Sequence, residues 1–286
     1  MTNSETTFLV FGDLHGRVLP AFRLASCWAK DHATPVAGLL QVGDLGYFPD
    51  PAKMDKATLR HAKDDSLELG VLDVVTLTKI ADATFDDPHC PPGLWFTAGN
   101  HEDFDELERL ASWNRDADFV VDHYCMVRAV KDGRIATLAG GLRVGAVWGV
   151  DGQGENRRTN LPWRGYIQDR AVSQLLVEPF DVLLCHDAPL DAKRVGYGSE
   201  LLANLIHLAR PRFVFFGHYK GDGMRVGKDY GGAEVYHMAG FELRKRDGTP
   251  EPGSVGILRW ADGTGQFEYL NDDWLKTFSR HNWKWR

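Results

Sequence analysis

The chain has 286 residues, of which 43% are hydrophobic and 26% charged, as in folded globular proteins. Its net charge of −7 and pI near 5.9 argue against a surface covered with basic residues for non-specific nucleic-acid binding. We expect a cytoplasmic protein without membrane association, because the start MTNSETT lacks signal-peptide features and no apolar run approaches the length of a membrane helix.

Short apolar runs that end on polar residues recur along the chain. Such runs, bounded by Gly or a polar cluster, predict buried strands. In chain order, the runs and the polar residues after them are FLVFG before Asp13 and His15, GLLQVG before Asp44, LWFTAG before Asn100 and His101, DVLLC before His186, and RFVFFG before His218.

Helical patterns separate these runs, and the predicted helices are 17–32, 64–83, 103–113, 167–176 and 198–210. Segment 47–60, with its prolines and mixed charges, predicts a loop over the candidate site formed by the polar residues that end these runs. The alternation of strands and helices favours one α/β domain spanning residues 1–286.

Other segments predict antiparallel strands. Three strand-like runs at 124–150 are expected to be antiparallel neighbours, with the DG pair in KDGR as a hairpin signal. The runs beyond residue 220 predict a second antiparallel set. The terminal segment 272–286 predicts a helix that packs its Trp residues against the body, and a stacking surface for nucleic-acid bases is the less favoured alternative.

The polar residues that follow the strands point to metal binding. In open α/β sheets, ligands gather beyond the carboxyl ends of the strands. The oxygen and nitrogen donors suit Mn, Fe or Zn, with Mg less favoured by the imidazoles. Six of these side chains, two Asp, one Asn and three His, are too many for one tetrahedral ion, so Asp44 is predicted to bridge two ions about 3.5–4 Å apart, as in two-metal hydrolases.

Five motifs in this order resemble those of the calcineurin-like metallophosphoesterases: GDLHG at 12–16, GDLG at 43–46, GNHE at 99–102, CHD at 185–187 and GHYK at 217–220. The resemblance covers roughly residues 7–220 and leaves 221–286 as a C-terminal strand and helix extension. It implies a four-layer αββα sandwich, in which helices flank two mixed β-sheets.

The resemblance also implies a division of the metal ligands. It gives the first metal Asp13, His15 and Asp44, and the second Asp44, Asn100, His186 and His218. A hydroxide bridging the two ions is then expected to attack the phosphorus. His101 is expected to stabilise the transition state or to protonate the leaving group.

Two departures from the family pattern bear on the substrate. Many members have a second His where this chain has Lys220, which we expect to bind a substrate phosphate instead of a metal. The GDLG motif also lacks the Asp-Arg-Gly continuation of protein serine/threonine phosphatases.

In the irregular segment 149–165, Arg157 and Arg158 are candidates for phosphate contacts. A solvated loop whose arginines pair with nearby acids is an equally weighted alternative.

These observations favour hydrolysis of a phosphodiester, with a nucleotide or nucleic acid among the candidate substrates and no obligate protein partner. A looser likeness to RNA lariat-debranching phosphodiesterases lies in the order GNHE, GGLRVGAVWG, CHDAP and GSELL. The alternatives are a small-molecule phosphomonoesterase or nucleotide pyrophosphatase, and a metal-binding scaffold with little turnover.

Overall fold

The computed structural model describes residues 5–152, 161–243 and 247–285. Its strands are β1 Thr6–Phe11, β2 Val36–Gln41, β3 Leu94–Phe96, β4 Asp118–Val120, β5 Val127–Val130, β6 Ile135–Thr137, β7 Arg143–Val147, β8 Val182–Cys185, β9 Phe213–Phe216, β10 Met224–Arg225, β11 Glu234–His237, β12 Val255–Ala261 and β13 Thr264–Tyr269. Its α-helices are α1 Val18–Asp31, α2 Lys56–Asp64, α3 Leu72–Val75, α4 Lys79–Phe85, α5 Phe104–Trp113, α6 Asp169–Leu175 and α7 Glu200–Ala209. Within these ranges, none of the helices has the length and apolar character needed to cross a bilayer.

The strands form two mixed sheets. The seven-stranded sheet has the order β13-β12-β1-β2-β3-β5-β4, and the six-stranded sheet has the order β10-β11-β9-β8-β7-β6. The centre of each sheet is parallel, through β1, β2 and β3 in one and β7, β8 and β9 in the other. At both edges of each sheet, the outermost strand pairs antiparallel with its neighbour.

Side-chain alternation along β1 shows how the layers stack. Phe8 and Val10 pack in a core shared with Leu184 of the other sheet, whereas Leu9 and Phe11 pack in a core shared with α1. A third core joins the outer face of the six-stranded sheet to α6 and α7. The order helix, sheet, sheet, helix confirms the predicted αββα architecture.

The predicted hairpin at KDGR is wrong. β5 pairs with β3 and β4 in the seven-stranded sheet, whereas β6 pairs with β7 in the six-stranded sheet. The turn therefore joins the two sheets. The antiparallel set predicted beyond residue 220 is only partly correct, because β11 runs parallel to β9 while β12 and β13 form a hairpin in the other sheet. A local turn signal carries no information about the sheet in which each strand buries its apolar residues.

Three predicted elements also differ from the structure. The 47–60 loop contains the start of α2, and the 64–83 helix is divided into a 3₁₀ turn, α3 and α4. Thr78 is extended and caps α4 by accepting a hydrogen bond from the Ala81 N–H, which explains the break. The C-terminal helix is replaced by two 3₁₀ turns, in which Trp283 is buried while Trp285 is 85% exposed.

Candidate metal centre

Two groups of potential metal ligands lie at the carboxyl ends of the parallel strands and share Asp44. One consists of Asp13, His15 and Asp44, and the other of Asp44, His186 and His218. In each group the donor atoms lie within 4.8 Å of one another. Asp44 Oδ2 is 3.2 Å from His186 Nε2 and 3.9 Å from His15 Nε2. The structure therefore brings together five of the six residues that the resemblance implied as metal ligands, with Asp44 common to both groups.

Asn100 provides a test of whether this site suits a cation. Its side chain is buried, and neither amide atom has a hydrogen-bond partner among the described residues. Its backbone N–H donates to Asp44 Oδ1 at 2.7 Å, which places it beside the shared carboxylate. An unsatisfied buried polar group costs about 1–3 kcal/mol. A cation bound by Asn100 Oδ1 would relieve part of that cost, so the donor set fits a metal.

The backbone is strained where it delivers these side chains. His15, Asp44 and His218 have φ values of 41°, 53° and 67°, in the left-handed region. Such conformations cost on the order of 1–3 kcal/mol each and concentrate at functional sites. A Cβ at Gly99 would lie 2.2 Å from Asp44 Oδ1, so only glycine permits this approach. The strand ends thus turn sharply enough for their side chains to converge.

Glu102 supports the turn that carries Asp44. Its carboxylate accepts hydrogen bonds from the N–H groups of Leu45 at 2.8 Å and Tyr47 at 2.6 Å. Burial, together with the charge of Asp44, raises the pKa of Glu102 to about 8. The oxygens of Glu102 are directed at the backbone of the turn, so this side chain holds the turn in place.

Charges within the site stabilise one another. Burial opposes ionisation of Asp44, but His186 and His101 hold the pKa of this carboxyl well below its usual range. Burial likewise opposes a charge on His186, but Asp44 and Asp13 raise its pKa to about 9. His186 Nδ1 donates to the Val42 carbonyl at 3.1 Å, which directs Nε2 towards Asp44. A cation would take the place of the His186 proton, so we expect metal binding to release protons.

Comparison with known proteins identifies the family. The model of the calcineurin-like phosphoesterases matches residues 6–220, which is most of the chain. The chain belongs to the calcineurin-like phosphoesterase family. It is therefore a hydrolase that acts on phosphoester bonds, in a family that typically uses divalent metals.

Solved structures support the fold. The crystal structure of TT1561 of Thermus thermophilus is 15% identical, covers 94% of this chain and 100% of its own, and has a TM-score of 0.51. A conserved uncharacterized protein and predicted phosphoesterase from Streptococcus pneumoniae is 10% identical over 94% of this chain and 90% of its own. Its TM-score of 0.38 is too low to add support. No curated protein matches significantly.

In this calcineurin-like phosphoesterase, His101 pairs with a residue that sequence reasoning missed. Asp55 Oδ2 lies 2.7 Å from His101 Nδ1, and Asp55 also caps α2 by accepting hydrogen bonds from the N–H groups of Ala57 and Thr58. Burial opposes ionisation of Asp55, but the hydrogen bonds from His101 and Thr58 lower its pKa to about 2. The carboxylate therefore holds the proton of His101 on Nδ1. An Asp just before a helical pattern is an N-cap signal that could have located α2.

A cavity of about 710 Å³ opens beside the donor groups of the phosphoesterase. His101 and Lys220 both line it, and Lys220 forms no ion pair with any described residue. Arg157 and Arg158, the other predicted phosphate contacts, lie outside the described residues. Arg164, from the same irregular segment, is paired with Glu108 of α5 at 2.5 Å.

A buried charge network, also missed in the sequence, supports the first motif. The Arg17 side chain is 2% exposed and donates to the His15 carbonyl at 2.7 Å. It also pairs with Asp65 at 2.8 Å and with Glu68 at 2.9 Å. Arg280, beyond the part matched by the family model, donates to Asp65 Oδ1 at 2.6 Å. The C-terminal extension is thereby connected to the loop that carries His15.

Proposed function

We propose that this phosphoesterase hydrolyses phosphodiesters at a centre of two divalent cations, Mn, Fe or Zn in preference to Mg. The observation that carries the proposal is the pair of donor groups that share Asp44 and open on a cavity of about 710 Å³. Two cations at such a centre supply an activated water and neutralise charge on the phosphoryl group. A nucleotide or a nucleic-acid strand is the substrate class we favour, and the cytoplasmic location stays a prediction from the sequence.

The ligands we assign are Asp13, His15 and Asp44 for one cation, and Asp44, Asn100, His186 and His218 for the other. The orphaned amide of Asn100 supports its place in the second set.

His101 is the candidate general acid in this proposal. Asp55 accepts the Nδ1–H, so the ring presents Nε2 to the cavity, where the leaving oxygen would lie. A proton carried on Nε2 would then be directed at that oxygen. A positioned acid of this kind typically contributes about 10²–10⁴-fold to the rate.

Two features favour a diester over a monoester. The cavity continues from the donor groups along α2, where it has room for a substituent on the phosphate. The GDLG motif also lacks the arginine with which protein phosphatases grip a monoester. Lys220 supports the alternative of a phosphomonoesterase or nucleotide pyrophosphatase, because its ammonium lines the cavity without an ion-pair partner among the described residues and suits the extra charge of a terminal phosphate.

A pair of aryl esters with the same leaving group separates these functions. We expect the Mn²⁺- or Zn²⁺-loaded protein to hydrolyse bis(p-nitrophenyl) phosphate with a kcat/KM at least about tenfold above that for p-nitrophenyl phosphate, about 1.4 kcal/mol in transition-state stabilisation. The reverse ratio would identify a phosphomonoesterase. Stoichiometric metal binding without hydrolysis of either ester would instead favour the third alternative, a metal-binding scaffold with little turnover.

A further inference from the structure

Helix α2 forms one wall of the cavity with a single face. Ala57, Thr58, Arg60 and His61 line the cavity, whereas Leu59 and Lys63, on the other side of the helix, do not. The side chains of Arg60 and His61 are exposed to solvent at the cavity wall. This wall, defined by Arg60 and His61, is called the α2 wall below.

The α2 wall is oriented towards the metal centre. The N-terminus of α2 abuts the centre, because its cap Asp55 is hydrogen-bonded to His101. Long side chains on a helix point back towards its N-terminus. Arg60 is five residues beyond Asp55, which is about 7.5 Å along the helix axis. Arg60 and His101 line the same cavity, so both are within reach of one substrate.

The α2 wall also carries uncompensated positive charge. Across the described part of the chain, neither Arg60 nor His61 has a side-chain hydrogen bond or ion pair. Arg17, in the same cavity, is by contrast buried and neutralised by Asp65 and Glu68. The α2 wall is thus available for an anion from the solvent side.

Another part of the cavity lining is acidic. Glu242 and Glu251, both in the C-terminal extension, belong to this part of the lining. Carboxylates repel a phosphate and accept hydrogen bonds from hydroxyl or amino groups. An anionic substituent is therefore disfavoured beside Glu242 and Glu251, which leaves Lys220 and the α2 wall as the basic parts of the lining away from the metal ligands.

We propose that Arg60 and His61 bind a second phosphate of the substrate while the first is hydrolysed at the metal centre. This inference rests on the proposed phosphodiesterase function. It narrows the substrate class to a diester with a neighbouring phosphate, such as a nucleoside that carries phosphates on both its 3′ and 5′ oxygens. Arginine suits such a phosphate because its planar fork makes paired hydrogen bonds.

Two matched probes test this selectivity: the p-nitrophenyl ester of thymidine 5′-phosphate, with and without a 3′-phosphate. Both have the same leaving group. We expect kcat/KM to be about tenfold higher with the 3′-phosphate, and the preference to weaken as salt screens the exposed charges. In the double variant Arg60→Ala, His61→Ala, the ratio of kcat/KM with the 3′-phosphate to kcat/KM without it should fall to about 1. Lys63→Ala, on the outer face of α2, should leave this ratio unchanged.

A ratio near 1 in the unaltered protein, or a ratio unaffected by the double variant, overturns the inference. An equal loss in Lys63→Ala would also overturn it, because the effect would then reflect overall charge. If neither ester is hydrolysed, the proposed function fails and binding decides this inference separately. Calorimetry should then show thymidine 3′,5′-bisphosphate binding about tenfold more tightly than thymidine 5′-phosphate, with the difference lost in the double variant. Equal affinities in the unaltered protein contradict the inference.

Discussion

The metal centre and the α2 wall border the same cavity but are built differently. The centre uses residues at the ends of buried strands, such as Asp44 at 3% exposure and His186 at 0%. Its backbone is strained and held by several hydrogen bonds, including those to Glu102. The α2 wall consists of the exposed side chains of Arg60 and His61 on a short helix between β2 and β3. The difference suggests that the fold fixes the reaction, while a connecting helix adjusts the choice of substrate.

Asp55 is the residue that connects these two regions. Its carboxylate binds His101 beside the metal centre and caps the helix that carries the α2 wall. A change at Asp55 should therefore affect both proton transfer and substrate selection, whereas changes within either region should affect one of them.

The largest effect is expected from His101→Ala. Loss of the general acid should lower kcat by about 10²–10⁴-fold, because the leaving oxygen would depart without a proton. Metal content, measured by elemental analysis, should stay at the level of the unaltered protein. His123→Ala, an exposed histidine remote from the cavity, is the matched control and should retain full activity. A His101→Ala protein with near-normal kcat on substrates with poor leaving groups would contradict the assigned role.

A smaller loss is expected from Asp55→Asn. Asparagine also caps helices well, so α2 should persist while the charge that orients His101 is removed. We expect kcat to fall by about 10–100-fold, the usual cost of losing a residue that orients a reacting group. Asp55→Ala should lose the cap as well, with an additional cost of about 1 kcal/mol in unfolding free energy. Equal kcat for Asp55→Asn and the unaltered protein would show that the pairing is only structural.

Arg17→Lys tests whether the buried charge network supports the metal centre. Lysine keeps the charge but cannot reach the His15 carbonyl, Asp65 and Glu68 together, since it lacks the guanidinium fork. We expect metal affinity, measured by chelator competition, to fall by about tenfold. The control is Arg23→Lys, because Arg23 lies on α1 and its ion pair with Asp87 does not involve the metal-ligand candidates. If both variants bind metal equally well, the network has no role in holding His15.

The smallest predicted effect is on stability at low pH. The pKa of Asp55 is lowered from its ordinary value of 3.8 to about 2 in the folded protein. Its contribution to stability is thus fully present above pH 3.8 and is lost as the pH falls towards about 2. Asp55→Asn should flatten this part of the pH dependence in chemical denaturation. Parallel curves for the two proteins would contradict the pKa assigned to Asp55.

The sequence predicted the strand ends because each apolar run stops at a polar residue, as at Phe11 before Asp13 and Cys185 before His186. It also predicted α1 and α5, whose patterns are amphipathic and, for α5, capped by Asp103. These features are local, so they can be read from neighbouring residues.

The features that the sequence did not predict depend on distant contacts. The Asp55–His101 pair joins residues 46 positions apart, and Arg280 reaches Asp65 across 215 positions. The close approach of Gly99 to Asp44 likewise joins residues 55 positions apart. A single sequence does not contain a spacing rule for such contacts.

The central claim is that Asp44 is shared by two cations, and the metal content of Asp44→Asn tests it most directly. Protein loaded with Mn²⁺ and freed of excess metal should contain about two equivalents. Asp44→Asn should retain one equivalent or fewer, because a neutral amide bridges two cations poorly. Diester hydrolysis should fall by at least about 10²–10³-fold, the cost of removing one preorganised electrostatic group. Asp116→Asn, at an exposed carboxylate, should match the unaltered protein in both measurements. An Asp44→Asn protein that keeps both equivalents and near-normal hydrolysis would contradict the account.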